Sequence, residues 1–371
     1  MKFLKRAVAA VYDHRRLFPG YQNAAVTDRR YSRIAFAILS IAFGLQLAQA
    51  AAPPLQIFWI DVEGGGGTLI VTPAKESILI DSGWAESAKR IHHAATNAGV
   101  NKIDYLITTH FHMDHFGGAA ELAKLMPVGT VLDNGKPEPG DDQLTTWGTN
   151  YSTFKCEKRR IIEVGEEIPL KQKSGTAKLN LRCVATRKQF FHPSVDGRFA
   201  TNPLCADAKQ IDKDLTDNAN STVFILQFGD FKFFDGGDLT WNMEGELVCP
   251  INYLGTVNIF QTDHHGQANS NNPLLIRSLA PTVSVMNNGA RKGGDVETFP
   301  RLIQEPSIQA RYQVHRSLRD GAQNTADEFI ANLEEKCAGN FIQCSIEPSG
   351  KSYTMEIPAN GHKRNFKTQS R

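Results

Sequence analysis

Three histidines and an aspartate fall within six residues in His110-Phe111-His112-Met113-Asp114-His115, and Phe116-Gly117-Gly118 follows at once. Imidazole and carboxylate together suit zinc or a similar first-row divalent ion. His110 and His112 stand two apart in an extended bend and can point the same way. Asp114 and His115 come one short turn later and can face a second point nearby. Such a bend supplies ligands for two adjacent ions but completes neither coordination shell. Two other segments offer the remainder: Asp235 and Asp238 in the run Phe-Phe-Asp-Gly-Gly-Asp-Leu-Thr, and His264 and His265 in Thr-Asp-His-His-Gly.

Each of these groups follows an apolar, β-rich run. Residues 102–109 read as a strand that delivers the histidine-rich bend at its C-terminal end, where open α/β folds place their sites. Residues 221–240 read as a hairpin about Gly229-Asp230, and 256–266 as a strand ending on the two histidines. The glycines beside each group let the backbone turn close to a ligand. Upstream, 55–62, 68–73 and 77–83 read as short strands. The Gly64–Gly67 run between the first two is a turn and not a dinucleotide fingerprint, because a strand follows it where that motif needs a helix.

The remaining pattern predicts helices over 85–99, 114–126, 141–158 and 324–336, the last with a capping signal. Strands are predicted over 130–133, 159–170, 178–186 and 281–289, with a closing hairpin over 341–357. His92 and His93 are neighbours on a helix and cannot share a face, so both read as surface residues. Residues 187–217 are rich in Pro, Asp and Asn without periodicity and read as an insertion loop, either a lid or inert. Strands interleave with helices, yet several are joined by tight turns. That mix favours an α/β fold of two mixed sheets with helices outside over one doubly wound sheet, as a single domain across 51–371.

Of 371 residues, 41% are hydrophobic and 22% charged, which suits a globular chain with a sizeable core. The first fifty residues differ. A basic patch, Asp28 to Arg33, precedes an apolar run of 14 residues, Ile34 to Leu47, and an Ala-Gln-Ala cleavage signature at 48–50. This order is that of an export signal, and the run is short for a membrane span, which needs about 20 residues. The expectation is cleavage after Ala50, release to the periplasm or exterior, and no stable membrane span thereafter. The signal lies late, so 1–33 reads as an over-extended start. Removing the eight basic and two acidic residues of 1–50 from totals of 41 and 39 leaves 33 and 37, a formal charge of −4. That balance carries no strong nucleic-acid footprint, and the basic run His362 to Lys367 reads as a solvated end. All six cysteines, Cys156, Cys183, Cys205, Cys249, Cys337 and Cys344, lie beyond the signal. An even count in an exported chain permits disulfides, and Cys337 with Cys344 is the easiest pair to propose.

The H-x-H-x-D-H bend before Gly-Gly resembles the signature of the metallo-β-lactamase superfamily. The opening strands ending in Leu79-Ile80-Asp81-Ser82-Gly83, the segment from Asn220 to Asp238, and His264-His265-Gly266 are similar to one branch of it. That branch holds the hydrolase domain of bacterial competence DNA-uptake proteins and a secreted phosphorylcholine esterase. The resemblance runs from about Leu55 to Gly289 and implies the four-layer αββα sandwich. It implies that His110 and His112 bind a first metal, Asp114 and His115 a second, and that Asp238 bridges both. His264 is expected as the late ligand and His265 as the neighbouring proton donor, with the two roles open to exchange. Asp81 is expected to position ligands, and Asp235 to be a turn residue. The sequence departs from the branch at Gly66, where an Asp is usual, and at 290–295, where a His is often found. His192 and His315 are the remaining candidates to fill the first shell.

What the resemblance implies is an enzyme with two divalent ions, zinc foremost, that share a hydroxide. The hydroxide attacks an ester, with Asp114 orienting it and His265 or His264 protonating the leaving oxygen. The preferred substrate is a phosphoester, either a diester or a small phosphorylated headgroup; Arg291 or Lys292 could meet its charge, but each reads first as part of a solvated turn. A lactone, thioester or β-lactam hydrolase and a non-catalytic metal-binding or scaffold protein stay open as alternatives.

Overall fold

The computed structural model describes residues 52–137, 139–193 and 200–369. The export signal read over 1–50 lies outside them. Along the chain the first strands are β1 (Leu55–Ile60), β2 (Thr68–Val71), β3 (Ser77–Ile80), β4 (Ile103–Ile107), β5 (Val128–Asp133) and β6 (Lys158–Ile161). Next come β7 (Leu179–Thr186), β8 (Gln189–Phe190), β9 (Val223–Phe228), β10 (Phe231–Asp235), β11 (Ile259–Gln261), β12 (Val283–Met286), β13 (Ala310–His315) and β14 (Ile330–Asn332). The last are β15 (Phe341–Ile346), β16 (Ser352–Ile357) and β17 (His362–Lys367). Among the described residues they form a nine-stranded sheet, ordered β17-β16-β15-β1-β2-β3-β4-β5-β6, and an eight-stranded sheet, ordered β14-β13-β12-β11-β10-β9-β7-β8.

Both sheets are mixed. The β1–β2–β3 meander is antiparallel, while β3 to β6 run parallel through crossovers. In the second sheet β9 and β10 form the expected hairpin, and β10 to β14 run parallel. The apolar runs are continuous because each central strand is covered on both faces. In β1, Ile57 and Trp59 enter the core between the sheets, where they meet Phe233, Ile259 and Val283. Phe58 and Ile60 point the other way, against Ile91, Ala94 and Leu122. Those three belong to α1 (Ala88–Asn97) and α3 (Ala119–Leu125). The outer face of the second sheet, with Phe234 and Phe260, packs on Leu247, Leu275 and Leu302, which lie in α5 (Trp241–Val248), α6 (Pro273–Leu279) and α7 (Thr298–Gln304). Fully burying each such side chain stabilises the fold by about 1.5–3 kcal/mol. The layers are therefore helix, sheet, sheet, helix: the metallo-β-lactamase sandwich.

Several elements differ from expectation, each for a physical reason. The helix expected over 114–126 is split into α2 (Met113–Phe116) and α3 at Gly117-Gly118. There the backbone presses on the turn after β3: Gly118 N–H donates to Gly83 O, and a Cβ on Gly118 would stand 2.9 Å from Trp84 O. Of 141–158 only α4 (Leu144–Thr149) is α-helical, and its end at Asn150 passes into a tight turn that buries Tyr151. The helix expected over 324–336 is absent. Ile330–Asn332 instead pairs in parallel with β13, and the Asn324 side chain is spent on Gln313 and Ser317 rather than on a helix cap. Residues 362–367 are not a solvated end but the edge strand β17, whose Phe366 stacks on Tyr353 at 5.2 Å. The Cys337–Cys344 pairing is overturned as well. Cys344 points from β15 into the core between the sheets, and the disulfide joins Cys205 to Cys249. That bond ties the 187–217 segment, which carries β8 and a 3-10 turn at Pro203–Asp207, to the end of α5.

Candidate metal centre

The expected site residues all follow C-terminal strand ends: Asp81 after β3, His110 to His115 after β4, Asp238 after β10, and His264 with His265 after β11. Asp81 adopts a left-handed conformation, φ 60°, that few residues tolerate without help. Its carboxylate stabilises that conformation by accepting from Thr109 N and Thr109 Oγ1, both at 2.8 Å. The same carboxylate lies 2.7 Å from His115 Nδ1. A carboxylate only accepts there, so Nδ1 carries a proton and Nε2 is turned inward. Asp81 thus holds the His115 ring and the Thr109 backbone in place.

Asp238 is the junction. One of its oxygens, Oδ1, lies 3.1 Å from His115 Nε2 and 3.2 Å from His265 Nε2. The other, Oδ2, lies 3.7 Å from His110 Nε2 and 3.5 Å from His264 Nε2. Asp114 Oδ2 closes the first side, 3.3 Å from His115 Nε2 and 3.0 Å from His265 Nε2. On the second side His110 Nε2 and His112 Nδ1 are 3.0 Å apart. Two ligand groups result, Asp114-His115-Asp238-His265 and His110-His112-Asp238, and in each the candidate ligand atoms lie within 4.8 Å of one another. Asp238 Oδ1 is buried with no hydrogen-bond partner. Such an oxygen, facing imidazole nitrogens, is what a cation would satisfy, and the donor set of imidazoles and carboxylates suits a divalent metal.

The electrostatics agree. Burial, with His115 beside it, holds His110 well below its ordinary pKa, in the neutral form a ligand needs. Burial opposes charge on His115 too, but Asp238, Asp81 and Asp114 outweigh it and hold this imidazole well above its ordinary value. Burial would likewise raise Asp114 and Asp238, yet the histidines around them hold both well below the carboxylate range. The centre concentrates negative charge at one buried point.

The two adjacent histidines, whose roles the sequence left open to exchange, lie on different oxygens of Asp238: His265 on Oδ1 and His264 on Oδ2. His265 joins the Asp114-His115-Asp238 group, and His264 stays outside it. The cause is local: both residues are left-handed, at φ 53° and 55°, before Gly266 at 81°. The turn carries His265 inward to full burial, while His264 Nε2 reaches Asn218 Nδ2 at 3.4 Å. Asp235 is a turn residue, as expected: its Oδ1 accepts from Gly237 N and Gln261 Nε2. His192 is exposed and meets Tyr253, and His315 lies in another cluster, so neither belongs to these groups.

Other residues are brought to the centre by segments whose sequence signal is weak. Lys292 forms an ion pair with Asp114 and lies over the Trp84 ring. Asp217 accepts from Phe111 N at 2.7 Å and fixes the bend from below, and Ser221 Oγ accepts from Asp238 N. Ser221 lies in the segment that carried the family resemblance, which was the signal available for it; Asp217 and Asn218 fall just before that segment and had none. Gly66 also has its explanation. A Cβ there would stand 2.5 Å from the Asp81 carboxylate, so the departure from the usual Asp leaves room for Asp81.

Residues 63–151 match the model of the metallo-beta-lactamase superfamily. That segment contains the whole histidine-rich bend. Together with the sandwich built above, the match makes the chain similar to the metal-dependent hydrolases of the metallo-β-lactamase superfamily. Among curated proteins the chain is similar to Recombination protein 2 of Haemophilus influenzae, with 24% identity over 263 residues, 69% of this chain. The match covers 27% of that relative, so the chain spans about a quarter of its length. Among solved structures it is similar to a protein of Parabacteroides distasonis described as a metal-dependent hydrolase, at 13% identity and TM-score 0.38, covering 69% of this chain and 91% of that one. It is also similar to the diiron β-hydroxylase CmlA of Streptomyces venezuelae, at 14% identity and TM-score 0.38, covering 71% and 53%.

Proposed function

We propose that the chain is an exported hydrolase of phosphoesters, acting on a diester or a small phosphorylated headgroup, with two divalent ions held about Asp238. The observation that carries this reading is the split of Asp238 between two ligand groups, one to each carboxylate oxygen. His110, His112 and Asp238 would hold one ion, and Asp114, His115, His265 and Asp238 the other, with zinc the first choice for this donor set. Such a pair supplies activated water at neutral pH and neutralises charge that develops on a phosphoryl group.

The chain's own residues do the rest. Asp81 orients His115, and Asp114 reaches from the centre to Lys292. The Lys292 ammonium offers a charge to a phosphoryl oxygen, which a neutral lactone would not use. His264, outside the four-residue group, would hand a proton to the leaving oxygen. Beside it opens a cavity of about 250 Å³ lined by Asp212, Asp214, Asn218 and Trp241. Its two carboxylates would repel a polyanion, which favours a small headgroup over long nucleic acid. The Cys205–Cys249 disulfide supports export, since such bonds persist in oxidising compartments. Among the described residues no helix is long and apolar enough to cross a membrane.

The test is a comparison of bis(p-nitrophenyl) phosphate, a lactone and a chromogenic cephalosporin on zinc-loaded protein. Turnover of the phosphodiester is expected. Activity on the cephalosporin or the lactone alone rejects the phosphoester reading, and a protein that binds no metal and turns over none of the three rejects the enzyme.

A further inference from the structure

A second group of metal-affine side chains comes together apart from the Asp238 groups. Asp61, His315 and Cys337 present ligand atoms that all lie within 4.8 Å of one another. Asp61 follows β1 in the first sheet, His315 ends β13 in the second, and Cys337 lies in the connection between β14 and β15. Asp61 and His315 are both 0% exposed, while Cys337 is half-buried and gives access from solvent.

His315 is not a satisfied core histidine. Its Nδ1 lies 2.8 Å from Arg316 O, and a carbonyl only accepts, so Nδ1 holds the proton and Nε2 presents a lone pair. That Nε2 is buried and has no hydrogen-bond partner. An imidazole with Nδ1–H tied to a backbone carbonyl and Nε2 bare is the form that binds metals. Its neighbours are turned elsewhere: the Cys337 thiol donates to Asp61 Oδ2 at 3.1 Å, and Arg90 bonds to Asp61, Glu63 and, weakly, Cys337 Sγ. With Cys337 ionised, Asp61, Glu63, Cys337 and Arg90 sum to a charge of −2, which one divalent ion neutralises.

We propose that Asp61, His315 and Cys337 form a separate structural site for a thiophilic divalent cation of the zinc class, with water in the fourth position. Thiolate, imidazole and carboxylate in one tetrahedron favour zinc over magnesium or calcium. On binding, the Cys337 proton leaves to solvent, the S–H···O bond to Asp61 is replaced by metal–sulfur and metal–oxygen bonds, and no redox step is involved. The ion would clamp the two sheets together. It would also anchor the turn after Asp61, whose Gly66 N–H donates to Asp114 O at 3.0 Å.

The two Asp238 groups contain no sulfur, so the sites are spectroscopically distinct. Reduced, metal-stripped full-length chain is titrated with Co²⁺. A thiolate-to-cobalt charge-transfer band in the near ultraviolet is expected, saturating with one thiolate-bound ion per chain. It should vanish in Cys337→Ser, weaken in His315→Gln and persist in Cys156→Ser. In the unsubstituted protein, Zn²⁺ should protect Cys337 from alkylation, read by peptide mass spectrometry. Absence of the band, its survival in Cys337→Ser, or equal alkylation of Cys337 with and without Zn²⁺ overturns the proposal, whatever happens at the Asp238 centre.

Discussion

Asp81 and His115 are joined at 2.7 Å through Nδ1, and this one contact turns the other nitrogen of His115 toward Asp238. The link crosses from the end of β3 to the bend after β4 and is buried at both ends. Replacing Asp81 by Asn keeps the shape but offers one acceptor where Thr109 and His115 need two. The expected result is metal affinity weaker by about 10–100-fold, as for other residues that orient metal-binding histidines. Competition with a chromophoric chelator measures it, and unchanged affinity would remove Asp81 from this role.

The neighbours His264 and His265 should behave differently. His265→Ala removes a member of the Asp114-His115-Asp238 group, so bound metal should fall by about one ion per chain by elemental analysis. His264→Ala should keep its metal and lose turnover by about 10²–10⁴-fold, the usual worth of a general acid. Equal metal loss in both variants would contradict this assignment of roles.

Asp235 gives a pH signature. Burial, reinforced by the nearby Asp81 charge, raises its pKa from 3.8 to about 7. Between these values the folded chain keeps a proton that the unfolded chain releases. This contribution to stability is full below pH 3.8, declines as pH rises, and is gone above about 7. Asp235→Asn should flatten that decline by as much as about 4 kcal/mol. Urea unfolding of chelator-treated protein across this range checks it, and an unaltered slope would show that Asp235 is ionised throughout.

The Cys205–Cys249 bond closes a loop of 44 residues. Replacing both cysteines by Ser should lower stability by about 2–4 kcal/mol without changing metal content. Thermal unfolding with and without reductant makes the same comparison on the unsubstituted chain. Identical unfolding would show that the bond does not constrain the segment.

What was legible in the sequence followed from burial. β1, β4, β10 and β11 are covered on both faces, so their apolar runs stand out, and the ligand residues sit where those runs stop. The edges were harder to read. Phe329, Ile330 and Leu333 carry a helical spacing, yet β13 offers a free edge and pairs with Ile330 and Asn332. In β17 one buried residue, Phe366, is hidden among Lys, Arg and Asn. The order of His264 and His265 was not legible at all, because two successive left-handed residues decide which imidazole turns inward, and composition carries no signal for that. Lys292 looked like a solvated turn because its partner, Asp114, is 178 residues away.

The central claim is that Asp238 is shared between two cations, and anomalous diffraction at the zinc edge from zinc-loaded crystals tests it most directly. Two peaks flanking the Asp238 carboxylate, roughly 3.5–4 Å apart as in two-metal sites, are the expected result. A single peak there, or none within reach of Asp238, would contradict it.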